Sequence, residues 1–186
     1  MDQRDLVSRA QRGDKDAFAL LAGAAVAQLD SAARLILRDG ELARDAVQDA
    51  MVRAWKDLPG LRDPERFNAW LHRLTVNACL DVARRRRRRS IEVELTPMAM
   101  PSVGDSTDDI AERELVDEAL RQLTPEARAV VVLHFYLGMP LPDVAVALRI
   151  PVGTAKSRLH RSLRAMRATL EDAGVESEPV PGGQLA

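Results

Sequence analysis

The sequence predicts an all-α fold of two small helical domains joined by a flexible linker. Apolar residues recur at three- and four-residue intervals, and β-branched clusters are short, with no Asn-Gly or Asp-Gly hairpin signal. A stretch holding Pro97, Pro101 and Gly104 shows no sustained period, which marks a domain boundary. A chain of 186 residues suffices for one ordinary domain or two small ones, and 46% hydrophobic with 30% charged residues is a composition that folds.

The elements follow in order. A first helix over about 2–12 ends at Gly13, and Asp14 is placed to cap the next. The segment AFALLAGAAVAQLDSAARLIL is broken near Asp39 and Gly40, and a third helix over about 42–58 is stopped by Pro59 and Gly60. In that helix Val47, Met51, Ala54, Trp55 and Leu58 form an apolar stripe, with Asp45, Gln48, Asp49, Val52 and Lys56 opposite. After the loop LPGLRDPER, Phe67, Trp70, Leu71, Leu74, Ala78 and Val82 mark a helix that runs into six consecutive arginines, 84–89. Its outward face carries Arg73, Asn77, Asp81 and Arg84. Trp55 and Trp70 belong to apolar stripes and are expected in the core. The linker is expected at 90–109, then helices at about 109–123, 125–137, 142–148 and 152–173, and a frayed tail at 174–186. The domains are thus 1–89 and 110–173.

Net charge is −1, yet the charges come in blocks. Residues 105–126 hold eight acids against two bases, whereas 143–167 hold six bases against Asp143. Two basic blocks flanking an acidic middle suggest phosphate-facing surfaces.

Several function classes are disfavoured. The single cysteine, Cys79, leaves no internal disulfide and no thiolate pair for a metal, and reads as a small buried hydrophobe. The opening MDQRDLVSRAQRGD lacks the pattern of a secretory signal, and residues 17–27 are too few and too alanine-rich to cross a bilayer. A cytoplasmic, nucleoid-associated protein without membrane insertion is expected. No Walker loop, Gly-x-Gly-x-x-Gly or His-Glu-x-x-His appears, and His72, His134 and His160 are scattered, which argues against an enzyme and against any metal or cofactor.

The sharpest motif is LPDVAVALRIPVGTAKSRLHRSLRAMRATL, with the spacing of a helix-turn-helix. Ala145 lets the two helices approach, and Val144, Leu148, Ile150, Ala155, Leu159 and Leu163 are expected to fill the core. Thr154, Lys156, Ser157, Arg158, His160 and Arg161 are then left on the exposed N-terminal half of the second helix, in reach of a major groove. There a correct bidentate contact discriminates between bases by roughly 1–3 kcal/mol.

Four segments in this order, ARDAVQDAMVRAWKDL, FNAWLHRLTVNACLDVARRRRRR, LTPEARAVVVLHFYLGM and IPVGTAKSRLHRSLRAMRATL, resemble the extracytoplasmic-function sigma factors of the sigma-70 family. The resemblance implies a factor that binds core RNA polymerase and directs initiation at promoters. It implies that Asp45, Gln48 and Asp49 dock on the clamp helices of the largest subunit, with the polymerase flap as a further contact. The loop 59–66 with Arg62, and the helix with Arg73, Asn77, Arg84, Arg85 and Arg88, would handle the minus-ten element. The helix-turn-helix would read the minus-thirty-five element. It further implies an anti-sigma factor as a partner, and a path through a positively charged polymerase channel for the acidic linker with Glu92, Glu94, Asp105, Asp108 and Asp109. The chain departs from the family pattern at three places. Pro140 stands where a capping Ser or Thr is usual, Arg149 where the turn usually has glycine, and LRDPER where many relatives have an aromatic-Arg-Gly segment. A sigma mimic that only sequesters an anti-sigma factor would not need both basic faces, and a stand-alone repressor would not need the Asp45, Gln48, Asp49 face.

Overall fold

Local capping sets the element boundaries in the computed structural model, which describes residues 2–92 and 107–173. Helix α1 spans Gln3–Gln11, and Gly13, at φ +92°, makes the turn that follows. Asp14 then caps α2 (Lys15–Leu37) by accepting from the N–H groups of Asp16 and Ala17. Those bonds, the Ala17 N–H first and the Arg9 guanidinium next, hold the Asp14 carboxyl below its usual range. Helix α2 ends at Arg38 in a left-handed conformation, and Asp39 caps α3 (Gly40–Asp57) through Leu42 N–H. Two short 3-10 turns, Leu58–Gly60 and Pro64–Arg66, lead into α4 (Phe67–Glu92).

The second group comprises α5 (Thr107–Arg121), α6 (Pro125–Val131), α7 (Leu141–Leu148) and α8 (Val152–Asp172). Most of the expected linker, 93–106, lies outside the described residues, as does the expected tail. Among the described residues there is no strand.

Three sequence expectations need correction. The helix expected over 125–137 is regular only to Val131. It continues as a π-turn, Val132–Tyr136, in which Leu137 N–H reaches back five residues to the carbonyl of Val132. The extra residue throws Phe135 and Tyr136 into solvent while Val132 and Leu133 stay buried. Leu163, expected in the helix-turn-helix core, is exposed, because the buried side of α8 runs through Ala155, Leu159 and Ser162 and leaves Leu163 beside it. By length and composition α2 is apolar enough to cross a membrane, contrary to the reading of residues 17–27 alone. It nevertheless buries Ala17, Leu21, Leu29, Ala32, Ala33, Ile36 and Leu37, as the central helix of a core does.

That core is continuous across both groups. Leu29, Ile36, Leu58, Phe67 and Leu71 belong to the same buried cluster as Leu123, Val130, Leu133 and Val144. Trp55 meets Phe18 edge-on at 5.1 Å and Trp70 lies 5.9 Å from Phe67, both tryptophans half-buried against the apolar side as expected. Cys79 is fully buried, and burial pushes its thiol up to about 12.

Candidate polymerase and nucleic-acid interfaces

Helix α3 presents the expected acidic face. Ala43, Ala46, Val47, Ala50 and Ala54 turn inward, so Asp45, Gln48 and Asp49, grouped on the opposite side by the helical period, are exposed. These three also line a cleft of about 710 Å³ whose other wall is α4, with Arg85, Arg86 and Arg89. Arg86 crosses it to pair with Asp39 at 3.2 Å. The structure thus brings Arg85, expected to face DNA, to the same cleft as the acids expected to face polymerase.

The remaining residues expected at the minus-ten element do not form one open surface. Arg62 is exposed on the loop between the 3-10 turns, and Arg84 and Arg88 are exposed toward the end of α4. Arg84 pairs with Asp81 at 3.0 Å, and Arg53 approaches the same carboxylate at 3.6 Å. Arg73 and Asn77, expected to face outward, are half-buried, because α7 packs on this side of α4. The Asn77 amide donates to the carbonyl of Ala147 in α7 at 3.2 Å and to that of Arg73 at 2.7 Å. Its free hydrogens are spent on protein carbonyls.

A second contact fastens the two groups. The Arg38 guanidinium meets the Asp117 carboxylate in a fork, Nη1 to Oδ1 at 2.7 Å and Nη2 to Oδ2 at 2.6 Å, and Nη1 also donates to the Asp117 carbonyl at 2.9 Å. This bonding holds the Asp117 carboxyl below its usual range despite partial burial. Arg128 lies near the pair, buried, with no hydrogen-bond partner for its Nε. Burial first, and then repulsion from Arg38, bring its guanidinium down to about 10. Neither Arg38 nor Asp117 carries a local sequence signal, since they stand 79 positions apart.

In the helix-turn-helix, Val144, Ala145, Ala155 and Leu159 are buried and Leu148 and Ile150 partly so. Arg149 takes the left-handed turn conformation at φ 55°, ψ 46°, and Pro140 supplies no side-chain cap to α7. Both outcomes follow the expectation. Lys156, Ser157, His160 and Arg161 are exposed, and Thr154 and Arg158 half-buried. At roughly 100° per residue, Ser157, His160 and Arg161 lie near the centre of the outward face of α8. Lys156 sits on one flank, Thr154 and Arg158 on the other. A helix seated in a major groove would turn the central three to base edges and the flanking cations to opposite phosphate walls.

Residues 23–89 match the family described as Sigma-70 region 2, and 113–166 that described as Sigma-70, region 4. The chain is 36% identical over 145 residues to an RNA polymerase sigma-E factor of Streptomyces avermitilis, covering 78% of this chain and 80% of that protein. It is 36% identical over 140 residues to the ECF RNA polymerase sigma factor SigL of Mycobacterium tuberculosis, covering 74% and 79%. Among solved structures, CnrH in complex with the cytosolic domain of CnrY superposes with a TM-score of 0.66 at 31% identity, over 94% of this chain and all (100%) of that one. RpoE in complex with the anti-sigma factor NepR from Bartonella quintana has a like fold, with a TM-score of 0.72 at 21% identity over 83% and 96%.

Proposed function

The chain belongs to the extracytoplasmic-function sigma factors of the sigma-70 family, and from that premise we propose how its surfaces share the work. It binds core RNA polymerase and promoter DNA and directs promoter-specific initiation. The acidic face of α3, with Asp45, Gln48 and Asp49, docks on the clamp helices, and the flap meets the second helical group. The loop with Arg62, together with Arg73, Asn77, Arg84, Arg85 and Arg88 on α4, handles the minus-ten strand. Thr154, Lys156, Ser157, Arg158, His160 and Arg161 on α8 handle the minus-thirty-five duplex. The protein works in the cytoplasm and performs no catalytic step of its own.

The observation that carries this reading is the pairing of an exposed acidic helix face with an exposed cationic recognition helix on separate helical groups. Both amide hydrogens of Asn77 lie on protein carbonyls, so it can donate to a base only after giving up the bond to Ala147; on this reading the packed arrangement is the unloaded form, and loading on polymerase separates the groups. The solved complexes of CnrH with the cytosolic domain of CnrY and of RpoE with the anti-sigma factor NepR favour an anti-sigma factor as a partner of this chain. Initiation assays with purified core polymerase test the division. Asp49→Ala is expected to weaken core binding and spare minus-thirty-five DNA, and Lys156→Ala with Arg158→Ala to do the reverse. Equal loss of core binding in both would sink it.

A further inference from the structure

We infer that α1, gripping through Gln11, is a splint that positions the minus-ten loop. Helix α1 precedes the segment that matches region 2, which begins at residue 23, so no role comes to it from that match. The loop between the buried anchors Leu58 and Phe67 is exposed at Pro59, Gly60, Arg62, Asp63, Glu65 and Arg66. Within it only Leu61 also packs against the core, and an exposed loop with so few anchors samples many backbone states unless something outside it limits them.

Gln11 supplies that limit. Its Nε2 donates one hydrogen to the carbonyl of Leu58 at 3.1 Å and the other to that of Leu61 at 2.7 Å, so a single amide spans the first turn of the loop. Two carbonyl acceptors fix which end of the amide faces them, because only the nitrogen can donate. At the other end of α1, Gln3 Oε1 accepts from Asn68 Nδ2 at 3.1 Å, just beyond the loop's far end. Eight helical steps lead from Gln3 to Gln11, about 12 Å of rigid rod. The loop is thus tied at both ends to one helix, and α1 is seated through Val7 and Ala10 in the core. Arg62, one residue past the second carbonyl, takes its direction from that grip.

The inference rests on the assignment of this loop to the minus-ten strand, and the experiment separates the two. Holoenzymes carrying the wild-type chain, Gln11→Met or Arg62→Ala transcribe a promoter library randomised at the minus-ten and minus-thirty-five elements, and the transcribed promoters are sequenced. Methionine matches glutamine in length and offers no donor. Gln11→Met is expected to lower minus-ten discrimination by about tenfold, the loss of two hydrogen bonds that hold the loop. Minus-thirty-five preference and core affinity should stay within about twofold, the usual reach of a substitution distant from those surfaces. Unchanged minus-ten preference in Gln11→Met, with a change in Arg62→Ala, overturns the splint and leaves the loop assignment standing. No change in either variant overturns both. A uniform loss of all three signals in Gln11→Met, in step with its melting temperature, reduces Gln11 to a merely structural residue and also overturns the inference.

Discussion

Arg149 holds a backbone conformation that an L side chain adopts at a cost of about 1 kcal/mol. Arg149→Gly should therefore stabilise the protein by up to about 1 kcal/mol in thermal unfolding, with no change in the geometry of α7 or α8. The strained turn was legible because the family pattern usually has glycine at this position, directly after the eight residues of α7, and here the position holds Arg149. His72 is a different case. It is buried on α4, and burial lowers its pKa below the ordinary 6.5. The unfolded chain then binds more protons than the folded one just below pH 6.5, so stability falls as pH drops through that value. Melting curves between pH 7.5 and 5.5 should show that decline, flattened in His72→Gln; equal slopes in both would refute the assignment to His72. Nothing in the sequence distinguished His72 from His134 or His160, because which face of a doubly packed helix is buried depends on its distant neighbours.

At the scale of the element, α8 divides its polar residues by angle. Lys156, on a flank, is expected to act on phosphate, so Lys156→Ala should lower minus-thirty-five affinity about equally on all sequences and reduce the salt slope by about 0.9. Arg161→Ala should instead relax base preference at one position, by roughly 1–3 kcal/mol if its contact is bidentate. Binding titrations on matched and mismatched duplexes at several salt concentrations separate the two, and an equal salt slope with sequence-dependent loss for Lys156→Ala would exchange the roles. The helix boundaries themselves were readable from breakers and caps such as Gly13, Asp14 and Pro59. The π-turn at Val132–Tyr136 was not, since one inserted residue leaves both composition and hydrophobic period nearly unchanged. Its effect, two adjacent exposed aromatic side chains on the second helical group, gives the proposed flap contact an apolar surface.

Across the whole molecule, sequence periodicity specified two helical groups but not their contact. The Arg38–Asp117 fork and the Asn77–Ala147 bond join residues 79 and 70 positions apart, and pairings of that reach leave no local trace. Asp117→Asn keeps the shape and removes the charge, so it should favour separated groups by about 1 kcal/mol, the worth of a partly solvated ion pair. Small-angle scattering of the free protein should show a larger radius of gyration for this variant, and an unchanged radius would mean that apolar packing alone holds the groups together. Because the folded Asp117 pKa lies below the unfolded 3.8, the fork's contribution is present above that value and is lost as pH falls through the folded one. Shifts between neutral and mildly acidic pH leave it intact. The Asn77 bond also has a thermodynamic corollary. The hydrogen that Asn77 donates to Ala147 cannot at the same time go to a nucleotide, so under the proposed minus-ten role every ligand that needs the separated form shares the same conformational toll. If polymerase and promoter both need that form, whichever arrives first lowers the toll for the other, by a factor of ten for each 1.4 kcal/mol or so, and by reciprocity DNA then tightens the grip on polymerase as much as polymerase tightens the grip on DNA.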